Sequence, residues 1–230
     1  SVTYNYGLSV AATYNQKTPL PLVFWWHGSG GGGQGDHEAM KWDLEMVMPA
    51  IYFYPTNPDG NWDLDGNSID VHLFDQMYDQ LTSNYCVDLG RVYSMGFSMG
   101  AHFTNVLSCA RGDKIRGAAP EAGGHGSTTG CKGPVAWVGT HGINDGSVPI
   151  SDGRAARDAW LSINGCGMTS TPYNPQPMPH TDAFAGDKQP NCVRYDCPAD
   201  YPVTWCEFDG GHDYQVWPHY LAAEFWMALP

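Results

Sequence analysis

One turn constrains this sequence more than any other feature. Gly96-Phe97-Ser98-Met99-Gly100 ends an apolar run at residues 91–97 and opens a stretch with helical patterning at residues 99–110. A buried strand that enters a helix through Gly-x-Ser-x-Gly needs small residues beside the serine, because the turn is tight and pushes the serine outward. The sequence therefore predicts that the Ser98 hydroxyl is exposed above a helix N-terminus.

Apolar runs and amphipathic segments alternate along the rest of the chain. Largely apolar runs predict buried strands at residues 20–26, 49–55, 91–97 and 134–140, and residues 204–208 are predicted as the last strand. Helical spacing predicts helices at residues 69–81, behind Ser68 as N-cap, and at 99–110, 153–163 and 219–228. This alternation predicts an α/β fold with a mostly parallel central sheet and helices on both faces. The 230 residues contain no linker or charge block, so we expect one domain over residues 1–230.

Two motifs after Ser98 could complete a nucleophilic site. Asp145 follows the predicted strand at 134–140, at the sheet edge where sites gather in open α/β folds. His212 stands in Asp-Gly-Gly-His, on a loop between the last predicted strand and the last helix. A carboxylate can hold a histidine in the tautomer that accepts the serine proton, and the chain order serine, acid, histidine is that of α/β-hydrolases. We therefore predict Ser98, Asp145 and His212 as catalytic residues, although Asn-Asp-Gly is also good turn chemistry for Asp145.

Three other histidines lie close to the predicted site in the sequence. His27 and His141 stand within or next to strand ends, and His219 opens the last predicted helix. We expect each to be structural, or a hydrogen-bond partner behind the reacting groups, rather than the base.

The Gly-rich segment after the first predicted strand, His27-Gly-Ser-Gly-Gly-Gly-Gly33, is placed as an oxyanion loop would be. The residue after the nucleophile, Met99, normally supplies one backbone donor to the developing oxyanion. We predict the N–H of Ser29 as the second donor, with Gly28 or Gly30 as alternatives. A phosphate-binding loop is disfavoured, because no Lys-Ser/Thr follows the glycines.

The segment at residues 61–66, Asn-x-Asp-x-Asp-Gly, is similar to the start of a calcium loop. Its twelfth position is His72, where a bidentate Glu belongs. We expect a polar turn there and no bound metal.

Several aromatic residues fall in predicted loops and could line a substrate pocket. We predict this role for Trp62, Tyr214 and Trp217, and consider it for Phe184. Packing in the core or on the surface is the alternative for each of them.

The composition narrows the partners and the compartment. Eleven Lys and Arg against 24 Asp and Glu leave a net charge of −13, which disfavours nucleic acid and anionic membranes as partners. No apolar run is long enough to cross a membrane. Seven cysteines without metal-binding spacing indicate disulfides and an extracellular, secreted protein from which any signal peptide has been removed.

We expect two disulfides among the four C-terminal cysteines, Cys166, Cys192, Cys197 and Cys206, with the pairing open. The odd count leaves one free thiol or a partner cysteine outside the chain.

Longer motifs resemble a known family. WWHGSGGG, DVHLFDQM, RVYSMGFSMGAHF, GTHGINDGSVP, NGC and YPVTWCEFDGGHD are similar to segments of fungal feruloyl esterases and acetyl xylan esterases of carbohydrate esterase family 1. The resemblance spans nearly the whole chain. It implies an α/β-hydrolase fold, Ser98 as nucleophile, Asp145 as acid and His212 as base.

The resemblance further implies hydrolysis of ester decorations on plant cell-wall xylan, with feruloyl esters favoured over acetyl esters. The expected substrates are feruloylated or acetylated xylan or arabinoxylan. We expect no cofactor, and we expect the protein to be a monomer. The resemblance also extends to bacterial polyhydroxybutyrate depolymerases. A non-catalytic carbohydrate-binding protein and a peptidase on the same fold are further alternatives.

Overall fold

A computed structural model describes residues 3–40, 44–126, 130–175 and 190–230. The strands of the described part are β1 (Asn5–Val10), β2 (Leu20–Trp26), β3 (Ile51–Thr56), β4 (Val87–Phe97), β5 (Gly117–Glu121), β6 (Ala136–Gly142), β7 (Ser170–Tyr173), β8 (Pro190–Tyr195) and β9 (Val203–Phe208). Its helices are α1 (Gly33–Met40), α2 (Leu44–Val47), α3 (Ile69–Asn84), α4 (Met99–Ala110), α5 (Ile150–Ile163) and α6 (Trp217–Met227).

The strands form one sheet with the order β1-β3-β2-β4-β5-β6-β9-β8-β7. The six strands from β3 to β9 in this order pair in parallel, whereas β1, β8 and β7 pair antiparallel at the two edges. The mostly parallel sheet predicted from the sequence is confirmed. Since all central strands point the same way, the loops after β2, β4, β6 and β9 meet at one edge of the sheet.

Side chains of β2 alternate between two hydrophobic cores, one on each face of the sheet. Phe24 and Trp26 belong to a core shared with α3, α4 and α5, and Trp25 belongs to one shared with α2 and α6. All three aromatic side chains are at most 1% exposed. A strand covered on both faces loses the apolar–polar alternation of a half-buried strand, which is why β2 is continuously apolar in the sequence.

The predicted helices and strands are confirmed within a few residues, but β1, β5, β7, β8, α1 and α2 were not predicted. Ser68 caps α3 as predicted, because its hydroxyl accepts a hydrogen bond from the Val71 N–H. Strand β5 was not predicted, although it is buried along its whole length at the sheet centre. Its sequence, Gly-Ala-Ala-Pro-Glu, contains no β-branched or aromatic residue, so local propensity carries no strand signal there.

Three disulfides tie the chain together. Cys166 pairs with Cys197 and Cys192 with Cys206, so the four C-terminal cysteines form two bridges as predicted. The third bridge joins Cys109 to Cys131. Cys86 is the free cysteine that the odd count requires.

None of the helices in the described ranges has the length and apolar character needed to cross a membrane.

Candidate active site

Ser98 sits at a strained turn between β4 and α4. Its φ of 56° and ψ of −116° lie in a region that residues other than glycine rarely adopt. The turn depends on the glycines on either side of the serine. A Cβ on Gly100 would lie 1.8 Å from the Trp26 carbonyl oxygen, and one on Gly96 would lie 2.6 Å from the same atom. The sequence pattern around Ser98 is therefore a steric requirement of the packed strands.

The structure brings together the three side chains that the sequence analysis singled out. His212 Nε2 lies 2.8 Å from Ser98 Oγ, and His212 Nδ1 lies 2.6 Å from Asp145 Oδ2. Because an ionised carboxylate only accepts hydrogen bonds, Nδ1 carries the proton of the neutral ring and Nε2 is free to accept the Ser98 proton. The arrangement has the geometry of a nucleophile, a base and an orienting acid.

Asp145 is 9% exposed and is held in its ionised form. Burial raises the pKa of its carboxyl, but hydrogen bonds from His212 and from the Val148 and Ser147 N–H groups outweigh burial, so the pKa lies below its ordinary value. Both backbone donors reach Oδ1 at 2.8 Å and leave Oδ2 to the imidazole. The Asx turn considered from the sequence is thus present, and it holds the carboxylate that faces His212.

His141 lies behind Asp145 and is fully buried. Its Nε2 is 2.9 Å from the Val148 carbonyl oxygen and 3.4 Å from Asp145 Oδ2. Burial lowers the pKa of His141 and prevails over the opposing effects of Val148 and Asp145, which raise it. The neutral ring therefore donates from Nε2 to the loop that carries Asp145.

His219 is the third residue of α6 and is also fully buried, with Nε2 3.8 Å from Glu121 Oε2. Glu121 joins the elements of the site, because its carbonyl oxygen accepts from the Ser98 N–H and its Oε1 accepts from the Gln215 N–H. Glu121 was not predicted as a site residue, since a glutamate within a small-residue segment carries no pattern of its own.

The Gly-rich loop passes beside Ser98. A Cβ on Gly28 would lie 3.5 Å from the Ser98 Cβ, so the loop backbone approaches the serine closely. The Gly30 N–H donates to the Gly60 carbonyl oxygen at 2.8 Å, which removes Gly30 from the possible oxyanion donors. Ser29 and Gly28 remain as donors from this loop. Met99 is the first residue of α4, where backbone N–H groups have no intrahelical acceptor.

Two of the predicted pocket aromatics are core residues, and those predictions are wrong. Trp62 is 3% exposed, stacks on Phe103 and donates from Nε1 to the His27 carbonyl oxygen. Trp217 is 4% exposed and packs edge-on against Phe208 as the first residue of α6. Neither ring can reach a substrate, because the surrounding core already covers its faces.

Tyr214 differs from these two tryptophans. Its side chain is 40% exposed, and its ring lies 5.5 Å from that of Phe97, which in turn lies 5.0 Å from the His212 ring. Tyr214 therefore stands at the rim of the site, and its contact with substrate stays a prediction. Phe184 lies outside the described residues.

His102 is a site neighbour that the sequence analysis missed. It lies one helical turn after Ser98, a spacing that places both residues on one side of α4. Its Nδ1 accepts from the Gly124 N–H at 3.1 Å. Burial lowers the pKa of His102, although Asp152 opposes this effect. The four-residue spacing from the nucleophile is the signal that could have identified it.

Residues 61–66 form a polar turn, as expected. The Asp65 N–H donates to Asp63 Oδ1, and the Asn67 N–H donates to Asp65 Oδ1. Within the ranges that the structure covers, no group of three or more His, Cys, Asp or Glu side chains could hold a metal ion.

Solved structures of esterases share this fold. An acetyl xylan esterase from Aspergillus awamori superposes with a TM-score of 0.74 at 15% identity, covering 99% of this chain and 95% of that one. A ferulic acid esterase from Anaeromyces mucronatus, solved with ferulic acid, superposes with a TM-score of 0.61 at 14% identity, covering 98% and 86%. The fold is that of the α/β-hydrolases.

Sequence relatives narrow the class. Feruloyl esterase C of Emericella nidulans is 30% identical over 217 residues, which cover 90% of this chain and 76% of the relative. Feruloyl esterase D of Neurospora crassa is 29% identical over 223 residues, which cover 90% and 73%. No protein-family profile matches the chain. The protein is a carboxylic ester hydrolase of the α/β-hydrolase class. Within that class, the chain belongs to the fungal feruloyl esterase family.

Proposed function

We propose that this protein is a secreted serine esterase that removes feruloyl groups from plant cell-wall xylan, with Ser98, His212 and Asp145 as its catalytic residues. The observation that carries the catalytic assignment is the continuous hydrogen-bonded series from Ser98 Oγ through His212 to Asp145, at 2.8 and 2.6 Å. Membership of the feruloyl esterase family supports the substrate class.

The proposed reaction begins with proton transfer from Ser98 Oγ to His212 Nε2. As the proton leaves, Oγ bonds to the ester carbonyl carbon and an electron pair moves onto the carbonyl oxygen. The N–H groups of Met99 and Ser29 stabilise this oxyanion. When the tetrahedral intermediate collapses, the bond between the former carbonyl carbon and the sugar oxygen breaks. The sugar oxygen then takes the proton from His212.

Water then attacks the acyl-serine in the same way. His212 accepts a proton from the water, and the second tetrahedral intermediate expels Ser98 Oγ, which takes that proton back. Asp145 stabilises the imidazolium in both halves of the reaction while it stays ionised, in keeping with its lowered pKa. The products are a free acid and a xylan hydroxyl.

An acetyl xylan esterase is the second candidate, and a specific observation favours it. The acetyl xylan esterase of Aspergillus awamori superposes over nearly the whole of both chains. Both candidates share one mechanism and differ in the acyl group accepted beside Ser98, a choice that depends on pocket shape.

We propose that the protein acts outside the cell. Three disulfides, which persist in oxidising compartments, support this location. The net charge of −13 disfavours nucleic acid as a partner.

The test is the release of ferulate and acetate from feruloylated and acetylated arabinoxylan by purified protein. Ser98→Ala removes the nucleophile. Ser83→Ala is the matched control, because Ser83 is an exposed serine on α3. Ferulate release that Ser98→Ala abolishes and Ser83→Ala preserves would support the feruloyl esterase.

Release of acetate alone would move the assignment to acetyl xylan esterase. Release of neither acid, or equal rates for wild type and Ser98→Ala, would contradict the proposed function.

A further inference from the structure

The peptide between Gly28 and Ser29 has a fixed direction. In a trans peptide the C=O and N–H groups point to opposite sides, and the described residues contain no cis peptide. The Gly28 carbonyl oxygen lies 2.7 Å from His27 Nδ1 and accepts from the Gly31 N–H at 2.9 Å. Two donors thus hold this carbonyl on one side, and the Ser29 N–H is directed to the other.

The tautomer of His27 depends on a backbone group of a different loop. His27 Nε2 accepts from the Asn57 N–H at 3.0 Å, so the neutral ring carries its proton on Nδ1 and donates it to the Gly28 carbonyl oxygen. The ring is fully buried and packs 4.7 Å from the ring of Trp62. Without the Asn57 donor, Nε2 could carry the proton and the bond to Gly28 would be lost.

Asn57 is in turn held by a buried carboxylate. Its Nδ2 lies 3.0 and 3.2 Å from the two carboxylate oxygens of Asp70, which is 1% exposed. Asp70 Oδ2 also accepts from the Asp63 N–H at 2.8 Å, and Oδ1 accepts from the Tyr4 hydroxyl at 2.7 Å. A carboxylate buried to this degree is tolerated only when donors surround it. Asp70 therefore ties the loop at residues 57–63 to the first turn of α3.

We propose that Asp70, Asn57 and His27 form a chain of hydrogen bonds that orients the Ser29 N–H toward the oxyanion position beside Ser98. They are positioning residues, because none of them touches the substrate. This role rests on the proposed function. It explains why an apolar strand end carries a fully buried histidine, and why a helix begins with a buried aspartate.

Asp70→Asn is the main test variant. An amide offers one acceptor oxygen where the carboxylate offers two. Asn57 Nδ2 lies within 3.2 Å of both carboxylate oxygens, so in either orientation the new NH2 group faces this donor and weakens the contact that holds Asn57. We expect kcat on a soluble feruloyl ester to fall about tenfold to a hundredfold with KM within about twofold, because the loss falls on the transition state. The pH dependence of kcat should keep its midpoint, since the base and its acid are untouched.

Asp75→Asn is the matched control. Asp75 lies on the same helix, and its carboxylate accepts hydrogen bonds from Arg111 and Lys114 rather than from the 57–63 loop. The same chemical change there should lower the melting temperature and leave kcat within about twofold.

A second measurement separates positioning from a general loss of structure. Phenylboronic acid forms a tetrahedral adduct with the serine and places an oxygen at the oxyanion position, whereas 2-methoxyphenol, the ferulate ring without its carboxylate, has no such oxygen. In Asp70→Asn the affinity for the boronic acid should weaken by the same factor as kcat, and the affinity for 2-methoxyphenol should stay within about twofold. If Asp70→Asn does not fold, His27→Phe, which keeps a ring and loses both nitrogens, should give the same pattern.

Unchanged kcat in Asp70→Asn or His27→Phe, or a lower kcat with unchanged boronic acid affinity, would overturn the positioning role. If Ser98→Ala were as active as the wild type, the proposed function would be refuted, and the positioning role with it. The Ser98→Ala measurement distinguishes these two failures.

Discussion

Asp145→Asn is the substitution whose effect the structure defines most sharply. Oδ1 accepts from two backbone N–H groups at 2.8 Å, and Oδ2 faces His212 Nδ1 at 2.6 Å. An asparagine must place its amide oxygen against the two N–H groups, because its NH2 group cannot accept from them. The NH2 group then faces His212 Nδ1 and requires that nitrogen to accept.

The consequence is the wrong tautomer of His212. With Nδ1 accepting, the neutral ring carries its proton on Nε2 and donates to Ser98 Oγ, so it cannot take the serine proton. The corresponding substitution in serine proteases lowers kcat by about 10⁴ with the geometry intact, and we expect a fall of the same order here. Folding stability should change little, because the asparagine keeps both backbone hydrogen bonds.

Initial rates on a p-nitrophenyl ester at pH 7 would measure the effect, with urea unfolding as the check on stability. Asp158→Asn, at an exposed aspartate on α5, is the control and should match wild type. A kcat of more than about a tenth of the wild-type value in Asp145→Asn would contradict the predicted change of the His212 tautomer.

The remaining predictions concern the turn, one disulfide and the response to acid. In Gly100→Ala the Cβ would lie 1.8 Å from a backbone carbonyl oxygen. Urea denaturation should show a free energy of unfolding lower by about 3 kcal/mol or more, and kcat should fall about a hundredfold. The control Gly35→Ala, whose Cβ meets nothing within 4 Å, should lower neither quantity. Replacing Cys192 and Cys206 together by serine opens a bridge over 14 residues and should lower the free energy of unfolding by about 3 kcal/mol; equal denaturation midpoints would contradict this. Burial lowers the pKa of His141 in the folded state, so below about pH 6.5 the unfolded state binds more protons than the folded state. The melting temperature should therefore fall from pH 7 to pH 5. A melting temperature that stays constant over this range would argue against a buried neutral ring.

The local patterns of the sequence determined most of the fold and the positions of the proposed catalytic residues. Gly96 and Gly100 predict the turn at Ser98, because backbone atoms of a neighbouring strand leave no room for a Cβ at either position. Asp145 and His212 each follow a predicted strand, and parallel strands bring the residues after their carboxyl ends to one edge of the sheet. The turn and the positions of these two residues can be predicted from the sequence, because they depend only on residues adjacent in sequence and on the common direction of the strands.

Only the tertiary structure decided which aromatic rings are exposed and which groups of different loops form hydrogen bonds with one another. Trp62 and Trp217 stand in segments that look like loops, yet both are covered by elements distant in the sequence. The hydrogen bonds from Asp70 to Asn57 and from Asn57 to His27 join residues 13 and 30 positions apart, and no spacing rule connects them. Burial and hydrogen-bond partners are properties of the packed chain, because they depend on which surfaces meet after the sheet has formed.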